Sequence, residues 1–484
     1  MPLSPPPIDW EAIRPFLWLC LGGVIALLIA VGPRRLRPAA GPVSLLAVAA
    51  SGRAVFLLWD DPRVVMGGMV AVDRLALSFD LLFLATAFLA VLLSMAYLRE
   101  HGAEYGEFYA LLLFATAGMV MMAGSTNLLV VFLGLEVLSL PLYIMSGFTR
   151  TPERALESSL KYFLMGAFST GFALYGMALL YGATRTLDLR QMAAALAIAG
   201  AEGRGLMIAG FALMLIGFLF KIAAFPFHFW LPDVYQGAPT AVTGYMIAGT
   251  KAAAFAAILR VLTSAFWGAG PAVEWGKLLG VVAALTMTAG NVVALAQNNV
   301  KRMLAYSSIA HAGYILIAVV CRTDDGLTGV LFYLATYLFM NVGAFVVIHL
   351  VEGTREGDEV GELLQAYAGL GRREPVHAAA MAVFMFALTG MPLTGGFVGK
   401  FYVFRAAVDA GLYALAVIGV LNAVVAAAYY LRVVVYMYFR EPASEPGPIR
   451  ASAPASLALG LSLAGVFYLG VNPGPVAALF AQIL

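Results

Sequence analysis

Glu136, Lys221, Lys251 and Lys400 each stand in a stretch too apolar to hold a charge cheaply. Their settings are NLLVVFLGLEVLSLPLYIMSGF, LIGFLFKIAAFPF, YMIAGTKAAAFAAILRVL and MPLTGGFVGKFYVF. On insertion scales a charge at the bilayer centre costs roughly 2.5–3.5 kcal/mol. His228, His311 and His349 lie at a similar depth or close to it. Ammonium, carboxylate and imidazole groups share one chemistry, the gain and loss of protons. A lysine in low dielectric gives up its proton more readily, a nearby carboxylate holds the proton on, and a buried pair titrates as a coupled unit. These residues therefore suit a switchable proton carrier.

Each position also has a structural explanation. Lys161 and Arg432 lie near helix ends and can snorkel to the interface. Asp80 lies near the start of its apolar run, where an interfacial and a functional role are both open. Glu136 and Lys251 are too central to snorkel, so their structural alternative is a buried ion pair that fixes helix packing. His349 reads as a helix–helix hydrogen bonder. His311, in SSIAHAGYILI, follows Ser307 and Ser308 by one turn, which suits a polar chain.

The elements carrying these groups follow from composition. Hydrophobic residues make up 62% of the 484 and charged residues 12%, with a mean hydropathy of +0.90. Soluble domains are about 45–50% apolar and about 25% charged, so a soluble enzyme, a disordered chain and a fibrous protein are excluded. The net charge of +2 leaves no nucleic-acid footprint. Cys20 and Cys321 are far apart, so iron–sulfur, zinc and disulfide frameworks are not expected. Runs of about 20 apolar residues mark spans. Fourteen are predicted, near 16–32, 43–59, 75–97, 107–123, 127–148, 158–181, 206–226, 240–265, 277–296, 303–320, 327–350, 377–405, 411–439 and 452–471. Arg53 makes the second the weakest, and no strands are expected. The first run, followed by Arg34, Arg35 and Arg37, reads as a span rather than a cleaved signal.

Loops after odd-numbered spans carry thirteen basic residues, among them Arg150, Arg154, Lys301, Arg302 and Arg355; the opposite loops carry eight. That bias predicts both termini outside the cytoplasm. Lys221 follows Glu136 by 85 residues, and Lys400 follows His311 by 89. The helices of Lys221 and Lys400 are interrupted in sequence, by Pro226 and Pro232 and by Gly390, Pro392, Gly395 and Gly396. Broken helices at corresponding places point to inverted repeats. The fold expected is thus an all-α polytopic membrane protein of about 14 helices with two inverted five-helix repeats, each containing one discontinuous helix. Its units are 1–105 (three helices), 106–268 (spans 4–8), 269–440 (spans 9–13) and 441–484 (a last helix).

The run KIAAFPFHFWLPDVYQGAPTAVTGYMIAGTKAAAFAAILR resembles the core motif of the proton-translocating subunits of respiratory complex I, which are related to multisubunit cation/proton antiporters. FLGLEVLSLPLYIMSGF, ESSLKYFLMGAFSTGFALYGMALLYGATRTLDL, NNVKRMLAYSSIAHAGY and PLTGGFVGKFYVF resemble the N-subunit family of bacterial NADH–quinone oxidoreductase in particular. The likeness covers roughly residues 70–440. It implies that Glu136 partners Lys221, that Lys251 is the central connecting base and that Lys400 lies on the exit side. His228 and His311 match polar positions near the channels. M-type relatives carry a glutamate where Lys400 stands and L-type relatives add a lateral helix, so both departures favour the N type.

The resemblance further implies a non-redox, proton-pumping subunit of the bacterial inner membrane. No cofactor is expected in this chain, with NADH, FMN, iron–sulfur clusters and quinone bound by partner subunits. The partners implied are the M-type subunit, small subunits such as K and J, and the lateral helix of the L subunit. An antiporter or hydrogenase subunit would share the same motif. A purely structural membrane subunit and direct quinone binding are the other readings.

Overall fold

The computed structural model describes residues 8–103, 105–149, 153–198, 201–267, 275–354, 358–442 and 447–481. Arg150, Arg355 and the expected unit boundary at 268/269 lie outside them. The chain begins with α1 (Arg14–Val31), α2 (Ala40–Leu58), β1 (Arg63–Val65), β2 (Val70–Val72), α3 (Arg74–Glu100), α4 (Gly106–Gly124), α5 (Leu128–Ser146) and α6 (Glu153–Thr184). It continues through α7 (Leu189–Ile198), α8 (Ala201–Lys221), α9 (Trp230–Gly237), α10 (Thr240–Val261), α11 (Trp275–Leu295), α12 (Val300–Cys321) and α13 (Asp324–Glu352). The last elements are α14 (Asp358–Gly361), α15 (Leu370–Arg373), α16 (Pro375–Thr389), α17 (Gly395–Asp409), α18 (Tyr413–Phe439), α19 (Ala453–Val471) and α20 (Gly474–Phe480).

Among the described residues thirteen helices are long and apolar enough to cross a membrane. They match the predicted spans except the twelfth, where Pro375–Thr389 and Gly395–Asp409 are separate and each is too short alone. Arg53 does not interrupt α2, because it points outward. The expectation of no strands is corrected: β1 and β2 form a small antiparallel ribbon, Arg63 opposite Val72. Gly67 and Gly68, at φ 65° and 91°, make its turn.

Helices α10, α12 and α13 form the core, with nearly every residue buried. Polar caps start several elements. Asp73, Asn127, Asn299 and Thr323 accept backbone N–H bonds at the first turns of α3, α5, α12 and α13. Small residues let neighbouring helices close together. A Cβ on Gly118 of α4 would meet the Gly134 carbonyl oxygen of α5 at 2.8 Å. A Cβ on Gly290 of α11 would meet the Ala310 nitrogen of α12 at 2.6 Å.

Asp73 also ties the start of α3 to the end of α10. Arg260 donates to its two carboxylate oxygens at 2.5 and 2.7 Å, and to the Ala123 carbonyl that ends α4 at 2.9 and 3.1 Å. Burial pushes the Asp73 carboxyl up, but the Arg260 guanidinium and the Ala76 N–H outweigh it and hold it below the usual carboxylate range. A depressed carboxyl stabilises the fold above its unfolded pKa of about 4 and stops doing so as pH falls through its folded value. The stability gap between wild type and Asp73→Asn should therefore be full at neutral pH and narrow below about pH 4. Thermal unfolding of the detergent-solubilised protein across pH reads this. Asp73→Ala should lose about 1 kcal/mol more than Asp73→Asn, since asparagine keeps the cap.

Candidate proton site

Lys221 is the last residue of α8, and its ammonium crosses to α5. Its Nζ donates to Ser139 Oγ at 2.7 Å, and that hydroxyl donates in turn to the Leu135 carbonyl. The ammonium also lies over two aromatic rings, 5.4 Å from Tyr143 and 5.6 Å from Tyr162. Glu136 stands one turn before Ser139, half-buried beside the exposed Leu133, Val137 and Leu140. No Glu136 oxygen comes within 4.0 Å of Lys221 Nζ. Lys221 thus bonds the serine hydroxyl one turn beyond Glu136 rather than the carboxylate itself. The end of α8 meets α5 one turn further along than the carboxylate.

The chain beyond Lys221 turns sharply before α9, and carbonyls freed at the end of α8 find partners. The Phe220 carbonyl accepts from Ala223 N at 3.0 Å and from the Trp230 indole at 3.0 Å. The Leu219 carbonyl accepts from Ala224 N at 2.9 Å. His228 lies in this turn, buried against Phe225 and Phe229, and makes no hydrogen bond to the other five candidate residues.

Lys251 is buried at the middle of α10. Its Nζ donates to the Ser308 carbonyl of α12 and lies 5.7 Å from the centre of the Tyr337 ring on α13. His311 follows Ser308 by one turn and is also buried. Both its ring nitrogens are engaged, Nδ1 with Tyr333 Oη at 2.8 Å and Nε2 with Tyr430 Oη at 3.0 Å. A neutral imidazole donates through one nitrogen and accepts through the other, so one tyrosine hydroxyl donates a hydrogen bond to the ring and the other accepts one from it. Tyr430 also bonds Ser307. Tyr314, the next turn of α12, faces Lys400, whose Nζ lies 5.2 Å from its ring centre.

Lys400 belongs to α17 but holds the end of α16. Its Nζ donates to the Leu388 and Thr389 carbonyls at 3.0 and 2.8 Å. Gly390, at φ 93°, ends α16 there. A cation on a helix C-terminus is favoured by the helix dipole as well as by the free carbonyls.

The structure thus joins Lys251, His311 and Lys400 through side chains of α12, α13 and α18, and keeps Lys221 with Glu136 and Ser139 at α5. His228 stands apart. Sequence reasoning missed the hydroxyl partners Ser139, Tyr333 and Tyr430 and the Tyr314 ring that faces Lys400. A signal existed: Ser307, Ser308, His311 and Tyr314 recur at three- and four-residue spacing. His349 sits 3.5 Å from Glu100. Lys161 pairs with Glu157 and Asp233, at 2.7 and 3.1 Å. Arg432 donates to the Leu295 and Gln297 carbonyls after α11.

Lys301 is a correction. The sequence places it among the loop cations, and the structure buries it with two carboxylates. Its Nζ lies 3.1 Å from Glu362 and 3.9 Å from Glu352, and donates to the Ala238 carbonyl at 3.0 Å. Thr240 bonds Glu352 at 2.7 and 2.9 Å, and Asn299 bonds Glu362 at 2.6 Å. The cluster draws together the ends of α9, α10, α12 and α13. Removing one partner of a buried ion set strands the others. Lys301→Met should therefore cost about 3–5 kcal/mol, read as a lower unfolding temperature and a lower yield of assembled protein. Unchanged stability would mean that the cluster is solvated.

Among the described residues no group of three or more His, Cys, Asp or Glu could hold a metal ion.

Residues 125–426 match the family model "NADH:quinone oxidoreductase/Mrp antiporter, TM". The chain is 47% identical to NADH-quinone oxidoreductase subunit N of Trichlorobacter lovleyi, over 98% of this chain and 96% of that one. It is 46% identical to the subunit N of Salinibacter ruber, over 93% and 92%. Among solved structures it resembles a chain of respiratory complex I from Thermus thermophilus with bound aureothin. That likeness has a TM-score of 0.82 and 36% identity, covering 97% of this chain and 100% of the other. A chain of the Mrp complex from Dietzia sp. DQ12-45-1b shares the fold, with a TM-score of 0.83, 23% identity and coverage of 98% and 97%. A multi-pass chain with bases buried in its core, matched along nearly its whole length by these relatives, belongs to the subunit N family of NADH–quinone oxidoreductase, the antiporter-like membrane-arm subunits of bacterial complex I.

Proposed function

We propose that Glu136, Lys221, Lys251, His311 and Lys400 form a proton path along the middle of the bundle, with His228 at the edge of its entry. The observation that carries this reading is His311, held by tyrosine hydroxyls on both ring nitrogens between two buried lysines. A buried ion pair, the structural alternative, would set a carboxylate beside each lysine. Lys251 and Lys400 instead rest on backbone carbonyls, with ionisable or hydroxyl-bearing side chains next in line.

The chain itself carries no redox step in this reading. NADH, FMN, iron–sulfur clusters and quinone belong to partner subunits. Energy from electron transfer arrives as a conformational or electrostatic change in the neighbouring membrane subunits. It alters the distance or charge between Glu136 and Lys221, so that Lys221 passes its proton on towards Lys251, His311 and Lys400. Moving one charge against 100 mV costs about 2.3 kcal/mol, the least that the driving reaction must supply per proton. The position of Glu136 beside an exposed apolar stripe of α5 supports entry from a neighbour at that face. The partners in this reading are the M-type subunit, small subunits such as K and J, and the lateral helix of the L subunit.

Two inverted five-helix repeats, within 106–268 and 269–440, are part of the proposal, with α8–α9 and α16–α17 as the discontinuous member of each. The units 1–105 and 441–484 flank them, and both termini lie outside the cytoplasm. Recurring contacts support the repeats. Helix α4 packs on α5 through Gly118 and Gly134, as α11 packs on α12 through Gly290 and Gly313. Helix α6 meets both α8 and α9, as α13 meets both α16 and α17. The two lysines differ in placement, since Lys221 precedes its break and Lys400 follows one.

In the assembled complex, Lys221→Ala and Glu136→Ala should each lower NADH-driven proton pumping and quinone-coupled NADH oxidation together. Lys400→Glu should keep part of the activity. Reconstituted vesicles with a pH-sensitive dye measure the first and a spectrophotometric assay the second. An assembled Lys221→Ala complex that pumps at the wild-type proton/electron ratio would falsify the path.

A further inference from the structure

The start of α3 borders a cavity lined by none of the candidate path residues. Its volume is about 230 Å³, and its walls come from the segment before α1, the end of α2, the β1–β2 ribbon, α3, α4 and α5. The walls are apolar, with Phe16, Leu77 and Val130 among them, and Met66, Met69 and Met121 add flexible thioether surface that can adapt to a guest. The ionisable side chain lining it is Asp80, which is 4% exposed. Its Oδ1 is buried without a hydrogen-bond partner among the described residues. The nearby Arg260 does not supply one, since its guanidinium is spent on Asp73 and the Ala123 carbonyl.

A buried carboxyl oxygen without a donor is costly, and a bound group that donates to it offsets that cost. The walls carry no cationic or hydroxyl donor side chain for a phosphate and no second acid that would help desolvate an ammonium. A hydroxyl loses least on leaving water and supplies one donor, which is what Asp80 lacks. We infer that this cavity is a binding site for a hydroxyl-headed amphiphile, its O–H donating to Asp80 and its first carbons lying against the ribbon and α3. An engineered apolar cavity of about 150 Å³ holds benzene, so this one has room for a head and a short length of chain.

The test uses diazirine-bearing hexadecanol with the assembled complex in liposomes, followed by photolysis and mapping of the labelled peptides. Label is expected on the segments around 12–16, 66–72 and 77–80. Leu77→Trp fills the cavity and should abolish it. Asp80→Ala should lower it about tenfold, the effect of losing one buried hydrogen bond. Asp80→Asn keeps an acceptor and should retain most of it. NADH oxidation at the wild-type rate shows that the variants are assembled, and Val130→Phe serves if Leu77→Trp does not assemble. Equal labelling in the filled variant, or label confined to the lipid-facing sides of α1 and α2, overturns the inference. Indifference to Asp80→Ala overturns the role of Asp80 and with it the choice of ligand.

Discussion

A carbonyl oxygen without a donor is expensive in a bilayer, and helices that end inside a membrane protein expose several of them. This chain answers the problem repeatedly with long basic or indole side chains. Lys400 holds the end of α16, Arg432 the residues that close α11, Arg260 the end of α4 and Lys301 the end of α9. Trp230 does the same for α8 with a neutral N–H. The bases that look anomalous in so apolar a sequence are therefore also what allows helices to stop at depth.

Lys251 departs from this pattern. Its acceptor, the Ser308 carbonyl, lies within α12 rather than at an end, so the ammonium shares an oxygen that the helix already uses. No helix end gains from its charge. The side chains around it belong to a polar row: Tyr337, then His311 with Tyr333 and Tyr430, then Tyr314 facing Lys400. Tyrosines suit such a row because each carries a donor and an acceptor on a large apolar body. They pack as core residues and still leave a hydroxyl at every step.

The spans were legible because apolar runs of the right length have few other uses in a chain this poor in charge. The breaks beside Lys221 and Lys400 were legible from proline and glycine. What escaped were contacts between residues far apart in sequence. Lys301 looked like one more loop cation because Glu352 and Glu362 lie some fifty residues or more away and on other elements. Ser139 was invisible as the partner of Lys221 because a serine in a helix usually bonds its own backbone, as this one also does. The β1–β2 ribbon escaped because three-residue strands have no period to detect. The stripe Ser307–Ser308–His311–Tyr314 was readable in part, and its partners on α13 and α18 were not.

Beyond the Gly390 and Met391 N–H groups, which bond the Phe386 and Ala387 carbonyls, the last two carbonyls of α16 are held by a side chain from the next helix. A lysine tether of four methylenes can lengthen, swing or lose its charge without unwinding a helical turn. On the proposed path, the joint between α16 and α17 would be a hinge with a removable pin, its stiffness set by whether that pin carries a hydrogen ion. Mechanical freedom and proton occupancy then become one variable at that point, whereas the ends of α4 and α8 are pinned by an arginine and a tryptophan, whose donors do not vary with pH.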